Sequence, residues 1–169
     1  MINLVLVAPE IPGNTGAIIR LCANTGARLH LVQPLGFSLE SSQLRRAGLD
    51  YHDLATLRVW PDLAACRSGI AAPSDRWFAT TGRATRRYTD VAFQADDVIV
   101  FGCEASGLPD EVLNDFTDMQ CLTIPMRPNN RSINLANAAA IITYEAWRQL
   151  AFESAISVSS TISAITPTD

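Results

Sequence analysis

Short runs of apolar residues alternate with longer segments of helical periodicity along the first 150 residues of the chain. In most of the short runs consecutive residues are apolar, which is typical of strands buried on both faces of a parallel sheet. We predict strands at residues 2–8, 29–34, 56–60, 76–81, 96–103 and 119–126. Because predicted helices separate these strands, the pattern indicates an α/β fold with a mostly parallel sheet flanked by helices.

Two of the predicted helices carry clear boundary signals. The first is expected to begin with Asn14 or Thr15 as its N-cap and to end at Gly26. The last and longest is predicted over residues 134–150. Shorter helices are predicted at residues 41–49, 61–69 and 109–116.

Residues 1–150 are predicted to form one domain, because no linker or internal repeat interrupts the alternation. The Ser/Thr-rich segment 151–169 is weakly patterned, and we expect a mobile tail there. The apolar start has no basic segment and is broken by Pro9, so it predicts a strand and not a signal peptide. No apolar run approaches the length that a membrane span needs, and we expect a cytoplasmic protein with no membrane partner.

Polar residues and glycines concentrate in three loops that follow predicted strands. In α/β folds ligands bind beyond the carboxyl ends of the strands, so these loops form the candidate functional zone. Residues 9–20 place two glycines at the start of a helix, where backbone N–H groups can bind an anion. In residues 101–111, Gly102 ends a strand and lets a ligand approach the backbone, and Glu104 follows it.

The third loop brings five polar side chains to the start of the longest predicted helix. They are Asn129, Asn130, Arg131, Ser132 and Asn134. Ser132 or Asn134 can cap the helix by accepting hydrogen bonds from its first backbone N–H groups. Capping uses one side chain and not five, so this loop is also a candidate ligand-binding element.

The charge pattern is unusual because all 13 basic residues are Arg, on a chain of net charge −4. The net charge argues against general nucleic-acid binding. Three local clusters could still bind RNA phosphates: Arg45 with Arg46, Arg83 with Arg86 and Arg87, and Arg127 with Arg131. A genome composition that favours Arg over Lys explains the same bias equally well.

The cysteine and histidine content argues against a metal site. The four cysteines form no C-x-x-C pair, and the chain has only two histidines, so we predict no bound zinc. Three of the cysteines, Cys22, Cys103 and Cys121, lie in apolar runs and are predicted to be reduced core residues.

The three loops and the helices that follow them carry three recognisable motifs. The first is N-T-G-x-x-x-R-x-C from Asn14, the second is F-G-x-E-x-x-G-L-P from Phe101, and the third joins I-P-M from Ile124, S-x-N-L-x-x-A from Ser132 and Y-E-A-W-R-Q-L from Tyr144. In this order and spacing the chain resembles the SPOUT superfamily of knotted RNA methyltransferases, over roughly residues 2–150. The segment L-R-R-A-G-L-D-Y-H at residues 44–52 points to one subgroup within it.

The resemblance implies a SPOUT-type α/β fold whose C-terminal part forms a deep trefoil knot. It also implies a homodimer that binds S-adenosylmethionine and methylates a ribose 2′-hydroxyl. For this subgroup the ribose belongs to the wobble nucleotide, cytidine or uridine 34, in the anticodon loop of leucine tRNAs. The alternatives are a ribose elsewhere in tRNA or rRNA, and a non-catalytic RNA-binding dimer of the same fold. A dinucleotide-dependent oxidoreductase is disfavoured because the G-x-G-x-x-G fingerprint is absent.

The resemblance also implies roles for residues at matching positions. The implied cofactor contacts are Thr80, Gly102, Glu104, Ile124, Met126 and Ser132. The implied catalytic cluster is Arg20, Asn14, Ser132 and Asn134, and the expected RNA-binding residues are Arg20, Arg45, Arg46 and Tyr144. We expect Arg20 to bind a phosphate and stabilise charge on the ribose oxygen, because a guanidinium holds its proton too tightly to act as a base.

Two positions depart from the pattern of the superfamily. Ala105 and Ser106 stand where Thr or Ser followed by Arg is common, so one basic contact with RNA is missing from that loop. Thr80 stands where Leu is common, which a contact through the backbone would tolerate.

Overall fold

The computed structural model describes residues 1–39 and 57–155. Its strands are β1 (Asn3–Val7), β2 (Arg28–Val32), β3 (Leu57–Trp60), β4 (Trp77–Thr80), β5 (Val98–Phe101) and β6 (Cys121–Leu122). Its α-helices are α1 (Pro12–Thr25), α2 (Leu63–Gly69), α3 (Asp110–Leu113) and α4 (Leu135–Gln149), and short 3₁₀ turns cover Ser74–Arg76 and Tyr88–Asp90.

The six strands form one sheet in the order β3-β2-β1-β5-β4-β6, and every pairing between neighbours is parallel. The predicted α/β fold with a mostly parallel sheet is therefore confirmed. Every residue of β1 and of β5 is buried, which explains why both strands are apolar at consecutive positions. The connections that leave β1 and β5 run to opposite sides of the sheet, towards β2 and β6 respectively. Open α/β sheets bind ligands beyond the carboxyl ends of such a pair of strands.

Alternate residues of β1 belong to two separate apolar layers. Leu4 and Leu6 pack with the buried faces of α1 and α4, which contribute residues such as Ile18 and Ile142. Val5 belongs to the layer on the other side of the sheet, which is covered by α2 and the segment around α3. Full burial of one such aliphatic side chain stabilises the fold by about 1.5–3 kcal/mol, so both layers hold the sheet in place.

Three of the four ends of the two long helices, α1 and α4, lie where the sequence predicted them. Gly26 ends α1 with φ 74°, and its N–H donates to the Cys22 carbonyl at 2.7 Å. Asn134 caps α4, which ends at Gln149. The predicted N-cap of α1 was wrong: the helix begins at Pro12, after Ile11, so Asn14 and Thr15 lie inside it. The proline suits the first helical position because it has no N–H to satisfy there.

The last strand and the third helix are shorter than predicted. β6 has two residues because Met119 is 64% exposed and Thr123 continues the pairing only as an isolated bridge to Arg87. The third helix is reduced to four residues after Pro109. The predicted helix 41–49 and most of the predicted tail lie outside the described residues, and the knot stays a prediction. Across residues 1–39 and 57–155, every helix is too short or too polar to cross a bilayer.

Candidate active site

A cavity of about 810 Å³ opens at the carboxyl edge of the sheet, between the loops that follow β4, β5 and β6. All six predicted cofactor contacts line it: Thr80, Gly102, Glu104, Ile124, Met126 and Ser132. Asn14 and Asn134, two of the predicted catalytic residues, line it as well. Its volume is within the range of pockets that hold a molecule the size of a nucleoside cofactor.

One wall of the cavity is the loop after β5, which folds back on itself. A Cβ atom placed on Gly102 would lie 2.0 Å from the Gly107 carbonyl carbon and 2.1 Å from the Leu108 nitrogen. The Gly107 N–H donates to the Cys103 carbonyl at 3.0 Å, and Gly107 itself has φ 73°. Only glycine at position 102 allows this closure, because the atoms that a methyl group would meet belong to the backbone.

Glu104 joins this loop to the start of α1. Its carboxylate accepts the N–H of Glu10 at 2.8 Å, the N–H of Ile11 at 3.2 Å and the Nδ2–H of Asn14 at 2.9 Å. Because α1 has no side-chain cap of its own, Glu104 supplies acceptors and a negative charge where the helix begins. Glu104, 90 positions from Asn14, thus fixes the segment that leads into α1, whereas the sequence had predicted a local cap at Asn14 or Thr15.

Asn14 and Asn134 extend this network to α4. The Asn14 Oδ1 accepts the Nδ2–H of Asn134 at 2.9 Å, while its own Nδ2–H donates to Glu104. The Asn134 Oδ1 accepts the N–H of Ala136 at 2.9 Å and that of Asn137 at 3.3 Å. Both amide groups are therefore held in one orientation, and the three motifs of the sequence meet in one hydrogen-bonded chain.

The orientation of these amides decides what they offer to a ligand. Each amide nitrogen carries two hydrogens, and the described contacts use one of them in Asn14 and one in Asn134. Ser132, which carries a hydroxyl group, lines the same cavity. The site therefore presents neutral hydrogen-bond donors, which suit an oxygen atom on which negative charge develops.

The other predicted site residues lie away from this cluster. Arg20 is exposed on α1, about 9 Å along the helix axis from Asn14, and is not among the residues that line the cavity. Tyr144 is 48% exposed on α4, and its ring packs edge to face with that of Trp147, with the two ring centroids 5.7 Å apart. Arg45 and Arg46 lie outside the described residues, so their assignment stays a prediction.

Thr80 lines the cavity, but its hydroxyl is already engaged in a hydrogen bond within the sheet. Its Oγ1 donates to the Val100 carbonyl at 3.0 Å, which ties β4 to β5 at the edge of the cavity. The side chain is thereby held by the sheet, and the backbone of Thr80 is the part available to a ligand.

Several cavity residues were not predicted. Arg83, in the loop after β4, and Asp110, at the start of α3, form an ion pair of 2.5 Å. The clustering of arginines around Arg83 was the one signal in the sequence. Cys103 was predicted to be a core residue, but β5 ends at Phe101, so Cys103 lies past the strand and lines the cavity beside Ser106.

The buried cysteines differ in character from Cys103. Burial raises the pKa of Cys22 to about 12, and burial does the same for Cys66 despite the opposing charge of Arg67. These thiols stay protonated at neutral pH and act as small apolar residues of the core.

The sequence model of the SpoU rRNA methylase family matches residues 1–144 of the chain. A tRNA (cytidine(34)-2′-O)-methyltransferase from Methylovorus glucosotrophus is 54% identical over 156 residues, which cover 92% of this chain and 100% of that relative.

Two solved structures are similar to the chain in fold. One, described as structural insights into the 2-OH methylation of C/U34 on tRNA, is 43% identical with a TM-score of 0.82 and covers 89% of this chain and 97% of its own. An AdoMet-bound rRNA methyltransferase from Sinorhizobium meliloti is 26% identical with a TM-score of 0.76. That likeness covers 88% of this chain and 56% of the other.

Proposed function

Because the chain belongs to the SpoU rRNA methylase family, we propose that it methylates the ribose 2′-hydroxyl of nucleotide 34 in the anticodon loop of tRNA, with S-adenosylmethionine as donor. We further propose cytidine and uridine as the accepted bases, leucine tRNAs as the substrates, and a cytoplasmic homodimer as the active form. The observation that carries this proposal is the cavity in which Glu104, Asn14 and Asn134 join the three motif loops.

The names of two similar proteins support nucleotide 34 of tRNA as the substrate. The Methylovorus relative is named for methylation of cytidine 34, and the structure of 43% identity is described for both C and U at position 34. Both are covered almost completely by this chain, so the likeness extends over the whole catalytic unit of each.

The cavity fits S-adenosylmethionine in size and in chemistry. Gly102 leaves the backbone open to close approach, and Ile124 and Met126 give an apolar surface for the adenine ring and the methionine chain. Thr80 and Ser132 add polar groups at the border of the same space. When bound, the cofactor would supply an electrophilic methyl group on a sulfonium, with the neutral thioether S-adenosylhomocysteine as the leaving group.

The residues of the chain contribute orientation and charge stabilisation. The amide N–H groups of Asn14 and Asn134 and the hydroxyl of Ser132 hold the ribose oxygen in line with the transferring carbon. Orientation of two reacting groups can lower a barrier by about 7–11 kcal/mol in favourable cases. Arg20 binds the neighbouring phosphate and stabilises the negative charge that develops on the ribose oxygen. The proton of the ribose 2′-hydroxyl passes to water or to an RNA phosphate.

Glu104 acts in this scheme as a positioning residue. Its carboxylate is already committed to three hydrogen-bond donors, Glu10, Ile11 and Asn14, at 2.8–3.2 Å. It fixes the start of α1 and the amide of Asn14, and through them the orientation of Asn134.

Methylation of purified tRNA transcripts tests the proposal. Leucine tRNA transcripts with C, U, G or A at position 34, and other tRNAs with the same wobble base, are incubated with the protein and S-adenosylmethionine. Mass spectrometry of nuclease digests is expected to show a 2′-O-methyl group at C34 and U34 of leucine tRNAs. Cofactor binding with position 34 unmodified would indicate another RNA site. No cofactor binding would favour the non-catalytic RNA-binding dimer.

A further inference from the structure

The loop that leads to Asn134 carries positive charge with no acidic residue near it in the sequence. Between Asp118 and Glu145 the chain contains Arg127 and Arg131 and neither Asp nor Glu. This acid-free segment stands out in a chain with 17 acidic residues and a net charge of −4. Locally, therefore, the segment attracts anions although the chain as a whole repels them.

Most other arginines of the described structure are held by carboxylates. Ion pairs join Arg28 to Asp96, Arg67 to Asp115, Arg76 to Asp97, Arg83 to Asp110 and Arg148 to Glu145. Within residues 1–39 and 57–155, no carboxylate lies within ion-pair distance of Arg127 or Arg131. Their charge is consequently available to a ligand.

The two asparagines between these arginines shape the loop. Asn129 has φ 63°, a left-handed conformation that Asn adopts more readily than most residues. The Nδ2–H of Asn130 donates to the Arg127 carbonyl at 3.3 Å, which closes a turn. Both arginines are exposed on either side of this turn. The polar residues of the loop thus divide into two that fix its conformation and two that face solvent.

This turn lies at the entrance of the cavity. Met126 and Ser132, which flank the arginines, both line the cavity. We propose that residues 126–132, which we name the cavity lip, bind RNA phosphates next to the target nucleotide through Arg127 and Arg131, in addition to the phosphate contact assigned to Arg20. The inference rests on the proposed function and extends it by naming the residues that hold the backbone of the substrate.

An RNA backbone is the anion that best fits this arrangement. A guanidinium can grip a phosphate with two parallel N–H donors. A ribose that reaches the cavity has a phosphate on each side, and two arginines flank the entrance. The attraction acts over about 8 Å at physiological salt, so a local pair of charges is effective on an acidic protein.

Binding of a leucine tRNA transcript at a series of salt concentrations tests the cavity lip. The R127Q/R131Q variant is expected to bind about tenfold or more weakly. The slope of log affinity against log salt should fall by about 1.4 if two contacts to single-stranded phosphates are lost. Calorimetry should show cofactor affinity within about twofold of wild type, because neither Arg127 nor Arg131 is among the residues that line the cavity.

Two further variants separate charge from shape. R127K/R131K keeps both charges and should keep most of the salt slope. R28Q removes one positive charge at the amino ends of the strands, away from the cavity, where Arg28 is exposed beside Asp96. This change should leave tRNA affinity unchanged.

The outcomes that overturn the inference are distinct from failure of the proposed function. If wild type methylates position 34 but R127Q/R131Q binds tRNA with unchanged affinity and salt slope, the lip does not hold RNA and the function stands. If cofactor affinity falls as far as tRNA affinity, the arginines shape the cavity, and the inference is wrong. If wild type neither binds nor methylates tRNA, both proposals are wrong.

Discussion

The amino edge and the carboxyl edge of the sheet, where the strands begin and end, differ in how their carboxylates are paired. At the amino edge, where β1, β4 and β5 begin, Asp97 is 1% exposed and its carboxylate accepts Arg76 Nε–H at 2.7 Å and Nη2–H at 2.5 Å. The buried carboxylate is fully engaged, since the Gln94 N–H also donates to it at 2.8 Å. This edge is closed by paired charges.

The carboxyl edge is open. Its carboxylate, Glu104, is paired with backbone N–H groups and an amide, and not with a cation. Glycines bring the loop after β5 back on itself and leave a cavity of about 810 Å³ beside it. The comparison indicates that one edge stabilises the fold, while the other keeps donors oriented for a ligand. The following predictions test that division, from the largest expected effect to the smallest.

The substitution Gly102→Ala is expected to abolish cofactor binding. Its methyl group would lie about 2 Å from backbone atoms of Gly107 and Leu108, so the cavity wall must move. We expect cofactor affinity to fall roughly 1000-fold or more, equivalent to about 4 kcal/mol or more, so that calorimetry detects no binding. Gly13→Ala is the matched control, because an added Cβ there meets nothing within 4 Å. Normal binding by Gly102→Ala would show that the wall is flexible.

The substitution Asp97→Asn should reduce stability and leave the cavity intact. It leaves Arg76 without its buried counter-charge, and breaking a buried pair costs about 3–5 kcal/mol in the free energy of unfolding. Asp96→Asn provides the control, because Asp96 and its partner Arg28 are both more than half exposed. That change should cost less than about 1 kcal/mol in urea denaturation. Equal losses in the free energy of unfolding for the two variants would show that the buried pair of Arg76 and Asp97 does not stabilise the amino edge more than an exposed pair does.

Acid should weaken the same region through His30. Burial, reinforced by Arg58 and Arg28, lowers the pKa of His30 from 6.5 to about 4. Trp60 Nε1–H donates to its Nδ1 at 3.1 Å, so the folded ring is neutral and carries its proton on Nε2, facing Asn3. The unfolded chain binds the extra proton more readily below its ordinary pKa. The contribution of His30 to the free energy of unfolding is therefore fully present above about pH 6.5, and it falls by about 3 kcal/mol as the pH drops towards 4.

The test for His30 is urea denaturation at several pH values in wild type and H30Q. The glutamine does not titrate, so the difference between the two proteins isolates the contribution of His30 from that of the carboxylates. If both lose stability equally between about pH 6.5 and 4.5, His30 is not the cause.

The substitution Glu104→Gln should slow methyl transfer with little effect on cofactor binding. Gln replaces one accepting oxygen by an N–H group, which opposes a backbone donor at the start of α1. Losing one charged hydrogen bond is worth about 1.5–3 kcal/mol, or roughly a 10- to 100-fold fall in kcat. A positioning role predicts that the height of the pH–rate profile falls while its shape persists. A profile that loses its acid limb would instead identify Glu104 as a base.

The smallest effect is expected for the cap of α4. Asn134→Ala should cost about 1 kcal/mol in the free energy of unfolding, while Asn134→Ser keeps a capping oxygen and most of the stability. Both variants lose the amide N–H that donates to Asn14, so both should lose activity to a similar degree. Full activity in Asn134→Ser would show that Asn134 is a cap and nothing more.

Short-range features of the fold could be predicted from the sequence, and long-range ones could not. The left-handed Gly26 and the cap at Asn134 depend on neighbours within four residues, so the local sequence was sufficient. The start of α1 was predicted wrongly because the segment before Pro12 is held by Glu104, which lies in another loop. The same limit hid the ion pair of Arg83 and Asp110, whose partners meet only once the sheet has formed.

The candidate site shows the same division. The residue types and their spacing led to a family resemblance, and the structure places most of the implied residues around one cavity. The orientation of the two amides could not be predicted, since it is set by hydrogen bonds that span 90 and 120 residues. Arg20 stays a prediction for the reaction, because it lies on the same helix as Asn14 but outside the cavity lining.

The order of the strands has a consequence for synthesis on the ribosome. β1 emerges first and can pair with β2 early, but its other neighbour is β5, at residues 98–101. At about 5–20 residues per second, β1 waits roughly 5 to 20 seconds for that neighbour. During this interval one side of β1, in which four of five residues are apolar, is open to other nascent chains, and chaperone protection would be most useful. The cavity forms later still, when residues 122–138 have been made and the last loop can close against α1.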